Sequence, residues 1–328
     1  MTNDDRSLEA HTVRPTDLVA LVTFDGEVFA NQAVTREHLV RPSQAPHPIG
    51  AAIEQWLGLG RQTWVEVRGR QIEGIATARE LADGVWQIDT LVDASTPESA
   101  IGEEVLATLL RKAVDAARER RVTHVLLRTR LEGPAHVAAM HAGFGRITVE
   151  RVYRGALGIE GAPDIEVRAA TPQDDLARFQ LFNRSLPLDA RQAVAATLDE
   201  WKRTRERRWL GRGSSEWGAV RDGAVVGALA LNPAMPVAQL EAELEAEGVT
   251  TELVLTALLA AAAEALAAQH EAAPPVLVVV GATSPASSIL EVGGFELDSE
   301  YALLCHRTTR QVVERRRVPA GMAVPTSG

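Results

Sequence analysis

The side chains able to move a proton near neutral pH are few, and their spacing limits the chemistry on offer. His136 and His141 fall five residues apart on one short predicted helix, where imidazoles could act as acid or base. That spacing suggests no third ligand, so no metal is expected. A Ser-His-Asp triad is not expected either, because His124, His136, His141, His270 and His306 have no Gly-x-Ser-x-Gly elbow to serve. Cys305 is the single cysteine, which excludes an intrachain disulfide and a cysteine zinc site. It points to a reducing, cytoplasmic compartment. Trp64, Trp86, Trp217 and Tyr153 read as core or interface residues rather than cofactor platforms.

The elements that would carry such groups occur twice. Arg14 in Val13-Arg14-Pro15-Thr16 is matched by Arg168 in Val167-Arg168-Ala169-Ala170-Thr171-Pro172, 154 residues on. Trp64 to Arg68 with Gly74 corresponds to Trp217 to Arg221 with Gly227, at an offset of 153. Gly143-Phe144 pairs with Gly294-Phe295 at 151, and Tyr153 with Tyr301 at 148. A nearly constant offset in the same order predicts an internal duplication.

Each half predicts the same series. A short strand ends at the arginine, and helical sequence follows; Asp174 or Asp175 can cap that helix in the second half. Hairpins come next, Trp64 to Val67 with Ile72 to Arg79, and Trp217 to Val220 with Ala224 to Leu231. The strand Val85 to Val92 leads through a loop to a helix whose face is Val105, Leu106, Leu109, Leu110, Ala113, Val114 and Ala117. Its counterpart, Leu253 to Ala268, is apolar nearly all round. Val122 to Leu127 and Val276 to Val280 are buried strands, and a short helix, Gly-Phe and a last strand close each half. The expected units are residues 10–157 and 164–310, joined by Gly155 to Asp164, with 311–328 a flexible tail; Ala30 to His47 is an excursion of the first unit. Each unit is expected to form a separate αβ body that superposes on the other, and sheet-to-sheet packing of the halves would cover the edges at Glu150 to Arg154 and Tyr301 to His306.

Charge and hydropathy narrow the partners. The chain of 328 residues is 46% hydrophobic and 24% charged, which fits a globular protein, and its net charge of −10 argues against nucleic acid and anionic membranes. Thr256 and Glu264 interrupt its most apolar stretch, so no spanning segment is predicted, and the polar residues Met1 to Ala10 predict no signal peptide.

The order strand, helices, hairpin, strand, loop, helix, strand, helix, Gly-Phe, strand resembles the GNAT acetyltransferase superfamily. The resemblance rests on Arg14 and Arg168, Gly74 and Gly227, Leu91-Val92 ahead of the Gly102 loop, and the two Gly-Phe pairs. It covers about 140 residues per half on the roughly constant repeat spacing. It implies an α/β fold with two tandem acyl-CoA N-acyltransferase-like domains, each a mixed sheet splayed between its fourth and fifth strands. Acetyl-CoA or another acyl-CoA would lie in the splay, with its pyrophosphate on a loop at a helix N-terminus.

That loop falls on Ser99, Ala100, Ile101, Gly102 and Glu103 after Leu91 and Val92 in the first half, and these are the expected cofactor-binding residues. Pro97 departs from the family's opening Gln or Arg, and Glu98, Glu103 and Glu104 place negative charge there. In the second half Ala246 to Thr251 keeps neither small position, and Glu241, Glu243, Glu245 and Glu247 lead into it. The first half is therefore the expected donor site, and the second a degenerate partner. The family's usual acid, a tyrosine four residues before Gly-Phe, is replaced by Ala139 and Leu290. The resemblance leaves His136 or His141 as substitutes, with Asp89 and Glu80 as candidate bases toward a small-molecule amine. The alternative is a catalytically inactive protein that keeps the doubled fold to bind a ligand or partner. A monomer or homodimer suits either.

Overall fold

β-branched and aromatic runs separated by tight turns become strands throughout the computed structural model. It describes residues 10–17, 20, 24, 29–39, 60–68, 71–95, 102–158, 165–185, 197–205, 210–245, 251–270 and 273–308. The first half comprises β1 (His11–Thr12), β2 (Arg61–Arg68), β3 (Gln71–Ala82), β4 (Val85–Asp93), α1 (Gly102–Glu119), β5 (His124–Arg130), α2 (Pro134–His141) and β6 (Gly145–Gly155). The second comprises β7 (Glu166–Ala169), α3 (Asp175–Ser185), α4 (Leu198–Thr204), β8 (Ser215–Arg221), β9 (Ala224–Asn232), β10 (Ala238–Leu244), α5 (Thr251–Ala267), β11 (Val276–Gly281), α6 (Ala286–Val292) and β12 (Glu296–Arg307). The tail 311–328 and most of the joining segment lie outside the described residues.

Among the described residues all strands join one 12-stranded mixed sheet in the order β1-β2-β3-β4-β5-β12-β6-β11-β10-β9-β8-β7. Exchanging each strand with its counterpart in the other half reverses this order onto itself, so the duplication survives as pseudo-twofold symmetry. The expectation of separate bodies does not hold, because the last strands are exchanged. β12 pairs with β5, Leu304 opposite Leu127, while β6 pairs with β11, Val152 opposite Val279. At the centre β6 and β12 pair antiparallel, with Tyr301 opposite Glu150. Each last strand thereby has neighbours on both sides, which satisfies backbone groups that an edge would expose.

The paired glycines explain why the halves share their spacing. A Cβ on Gly74 would lie 2.5 Å from Val105 Cγ1 of α1, and one on Gly227 2.5 Å from Val254 Cγ1 of α5. Each marks a close approach of helix to sheet. Gly143 and Gly294 stop α2 and α6 at φ +84° and +82°, where Phe144 N–H reaches Ala139 O at 3.0 Å and Phe295 N–H reaches Leu290 O at 2.9 Å. The phenylalanines then turn into the cores that α1 with α2, and α5 with α6, form on the sheet. Across the sheet, Phe179 and Phe182 of α3 and Trp201 of α4 cover Val85, Leu126 and Ile147, so second-half helices shield first-half strands.

Candidate functional site

Parallel strands that part company leave peptide groups without partners, and this chain does so twice. β4 and β5 are paired from Val85 and His124 to Ile88 and Leu127; β10 and β11 are paired from Ala238 and Val276 to Glu241 and Val279. Beyond those pairs each half has a groove, and the two grooves differ in what fills them.

The first groove is occupied by the chain itself. Gln32 N–H donates to Leu91 O at 2.8 Å, and Val34 N–H donates to Arg128 O at 2.8 Å, so an extended strap bridges β4 and β5 where they diverge. The Asn31 amide donates to Asp89 O at 2.9 Å and accepts from Leu91 N–H at 2.9 Å and Ala33 N–H at 3.0 Å. Ala33 is fully buried. This strap is the start of the excursion expected over Ala30 to His47. Both peptide groups of Leu91 are thus taken by the strap.

The second groove opens into a cavity of about 90 Å³ lined by Arg36, Glu150, Glu241, Glu243, Phe182 and Ser284, among others. Arg36 follows directly from the strap and is itself buried. Its guanidinium donates to Glu150 Oε1 and to Glu241 Oε1, both at 2.6 Å. Glu150 is held from behind by Arg128 Nε at 2.7 Å. Burial pushes the Glu241 carboxyl above the usual carboxylate range, and Glu243 and Glu150 add to the rise, while Arg36 and Arg205 pull it down. Glu243 Oε2 is buried with no hydrogen-bond partner among the described residues. Glu241 and Glu243 alternate along β10, so they share one face.

The expected catalytic residues are dispersed. Asp89 is the extra residue of β4 against β3, where Thr77 lies opposite Thr90 and Ala78 opposite Ile88. Its buried carboxylate is committed to Arg61 and to Thr77 Oγ1, so Asp89 has a structural partner set instead of an open face. Glu80 is exposed near the end of β3, and His141 is exposed at the end of α2. His136 is half-buried, and burial followed by Arg146 lowers its pKa. Leu91 and Val92 are fully buried, Glu103 is exposed on the first turn of α1, and Gly102 begins that helix. Ser99, Ala100 and Ile101 lie outside the described residues, as does the second loop up to Thr250. Ala139 and Leu290, at the tyrosine position, are buried inside α2 and α6, and their carbonyls accept the N–H groups of Phe144 and Phe295. Cys305 is buried on β12 with its thiol pushed up to about 12, mainly by burial, and offers no nucleophile.

In the sequence Glu241 and Glu243 stand only as acidic residues ahead of a loop, and Arg36 does not stand out at all. The two-residue alternation of the glutamates is a usable signal; Arg36 has none. Among the described residues no cluster of three His, Cys, Asp or Glu could hold a metal ion, and no helix is long and apolar enough to cross a membrane.

No family model matches this sequence, and no curated protein matches it. Solved structures do. A GCN5-related N-acetyltransferase from Sphaerobacter thermophilus is 13% identical at a TM-score of 0.51, with 94% of this chain and 98% of that one covered. A tandem GNAT protein from the clavulanic acid biosynthesis pathway is 18% identical at a TM-score of 0.48, with 93% and 99% covered. A GCN5-related N-acetyltransferase from Kribbella flavida is 15% identical at 0.44, with 92% and 71% covered. Together with the splayed parallel pairs and the repeated element order, the likeness to the Sphaerobacter thermophilus structure gives this chain the fold of the GCN5-related N-acetyltransferases, built twice and joined by exchanged strands.

Proposed function

We propose that this protein is an acyl-CoA-dependent N-acyltransferase acting on a small amine, and that donor and amine meet where β10 and β11 part. The observation that carries the reading is the second-half cavity: Glu243 Oε2 is buried there without a partner among the described residues, and an amine N–H would supply one. Glu241 beside it is the proton acceptor, since burial has moved its carboxyl up, toward the range in which it can take a proton from an ammonium. An acyl-CoA supplies an activated acyl group when bound. The second groove is the better site for it because the strap closes the first. This reverses the assignment expected from Gly102, which favoured the first half. No residue is assigned the acid role at Ala139 or Leu290.

The rival reading, an inactive binder, draws its support from the filled first groove. Titration of the full chain with acetyl-CoA separates them. One donor per chain is expected, unchanged by Gly102→Val, with transfer to primary amines lowered at least ~100-fold by Glu241→Gln, the lower end for loss of a general base. Absence of binding at millimolar acetyl-CoA would sink the enzyme reading, and loss of binding on Gly102→Val would return the donor to the first half.

A further inference from the structure

The ion pairs around the cavity run across both halves, and their order is informative. Arg128 on β5 holds Glu150 on β6, Glu150 holds Arg36 at the end of the strap, and Arg36 holds Glu241 on β10. Arg36 is placed by the first groove. Residues 31–34 are fixed by backbone hydrogen bonds to β4 and β5, and the turn that follows is closed by His38 N–H on Thr35 O at 3.0 Å and by a Thr35 Oγ1 to His38 Nδ1 contact at 2.8 Å. The geometry points to Arg36 as a positioning residue for Glu241, carried into the second-half site by the strap that closes the first. The inference rests on the acyltransferase reading and adds a residue to it.

Arg36 acts on Glu241 in two ways. A guanidinium at 2.6 Å fixes one carboxylate oxygen and so the orientation of the other, and its charge opposes the proton that burial and the neighbouring glutamates favour. The other charged groups facing Glu241 are Glu243 on its own strand, Glu150 on β6 and Arg205 after α4. Behind Glu243 stands Arg178 of α3, which with Arg205 is bound to Glu216 of β8. Arg205 thus has its hydrogen bond to Glu216 and acts on Glu241 through its charge, whereas Arg36 hydrogen-bonds Glu241 directly. Its removal should leave Glu241 harder to ionise.

Two measurements on the full chain test this in wild type, Arg36→Lys, Arg36→Met and Arg36→Met/Glu241→Gln. The first is the carboxyl titration of labelled glutamates by NMR; the second is the pH profile of acetyl transfer from acetyl-CoA to a panel of small primary amines. Arg36→Met should raise the midpoint that is absent from the double variant, that of Glu241, and move the transfer profile alkaline. At a pH below both midpoints, transfer should fall about tenfold for each pH unit by which the midpoint rises. Arg36→Lys should restore most of both, and a variant that loses its far-UV circular dichroism is replaced by the lysine one. An unmoved midpoint in Arg36→Met overturns the proposal. A moved midpoint with an unmoved profile also overturns it, while transfer itself would stand. No transfer by the wild-type chain would remove the acyltransferase reading and the positioning role together.

Discussion

Asp174 shows how much one carboxylate can organise at the entry to the second half. Arg168 grips it with two nitrogens, at 2.6 and 2.8 Å, and the Thr171 N–H and hydroxyl donate to it at 2.8 and 2.9 Å. The arginine noted in the sequence as an opening residue is therefore the partner of a capping aspartate. The Arg168 guanidinium first, then the Thr171 donors, hold this carboxyl well below the usual carboxylate range, against the opposing effect of burial. A depressed folded pKa adds stability above the ordinary carboxylate value and loses it as pH falls toward the folded one. Asp174→Asn should lower Tm at pH 7, and the gap to wild type should shrink steadily below about pH 4. Thermal unfolding followed from pH 7 to pH 2.5 checks this, and a constant gap would overturn it. In the first half Asp17 accepts from Arg14 N–H at 2.7 Å instead, so the repeated arginines do not repeat one contact.

At the scale of elements, the glycines that betrayed the repeat each let a helix approach the sheet closely. A methyl on Gly227 would meet Val254 Cγ1 at 2.5 Å, with Leu244 at 3.1 Å and Leu258 at 3.2 Å behind it, so α5 must lift off β9. Gly227→Ala should cost about 1–3 kcal/mol, the usual range for overpacking. Gly158→Ala, with open space around it, serves as the control. Denaturant unfolding of both reads the difference, and equal midpoints would show that α5 adjusts without strain. The strap is the element that local pattern could not reveal. Residues 31–34 have neither strand alternation nor helical period, and they are extended only because β4 and β5 leave peptide groups that need partners.

Over the whole molecule, the exchange of β6 and β12 makes the halves interdependent. A first half expressed alone would lack β12 between β5 and β6, and would lose the α3 and α4 side chains that cover Val85 and Leu126. A second half alone would lack β6 beside β11. Residues 1–158 and 159–328 produced separately should each fail to unfold cooperatively, while co-expression should recover a complex with the chromatographic size of the intact chain. Either half behaving as a cooperative monomer would show that the exchange is dispensable.

Sequence alone determined the series of elements in each half, the hairpins, the Gly-Phe helix stops and the duplication, because these follow from periodicity and from backbone demands within a few residues. Of Glu241 and Glu243 it showed only acidic residues two apart ahead of a loop; their strand came from the structure. Only the tertiary structure decided which strand lies beside which, since the alternation of β6 or β12 suits a partner from either half equally well. The same holds for the site. Arg36 lies 114 residues from Glu150 and 205 from Glu241, and it reaches both because a strap from the first half satisfies the parted strands and ends beside the second groove. Long-range pairing is settled by which peptide groups and charges would otherwise be buried without partners, a condition that exists only once the sheet has closed.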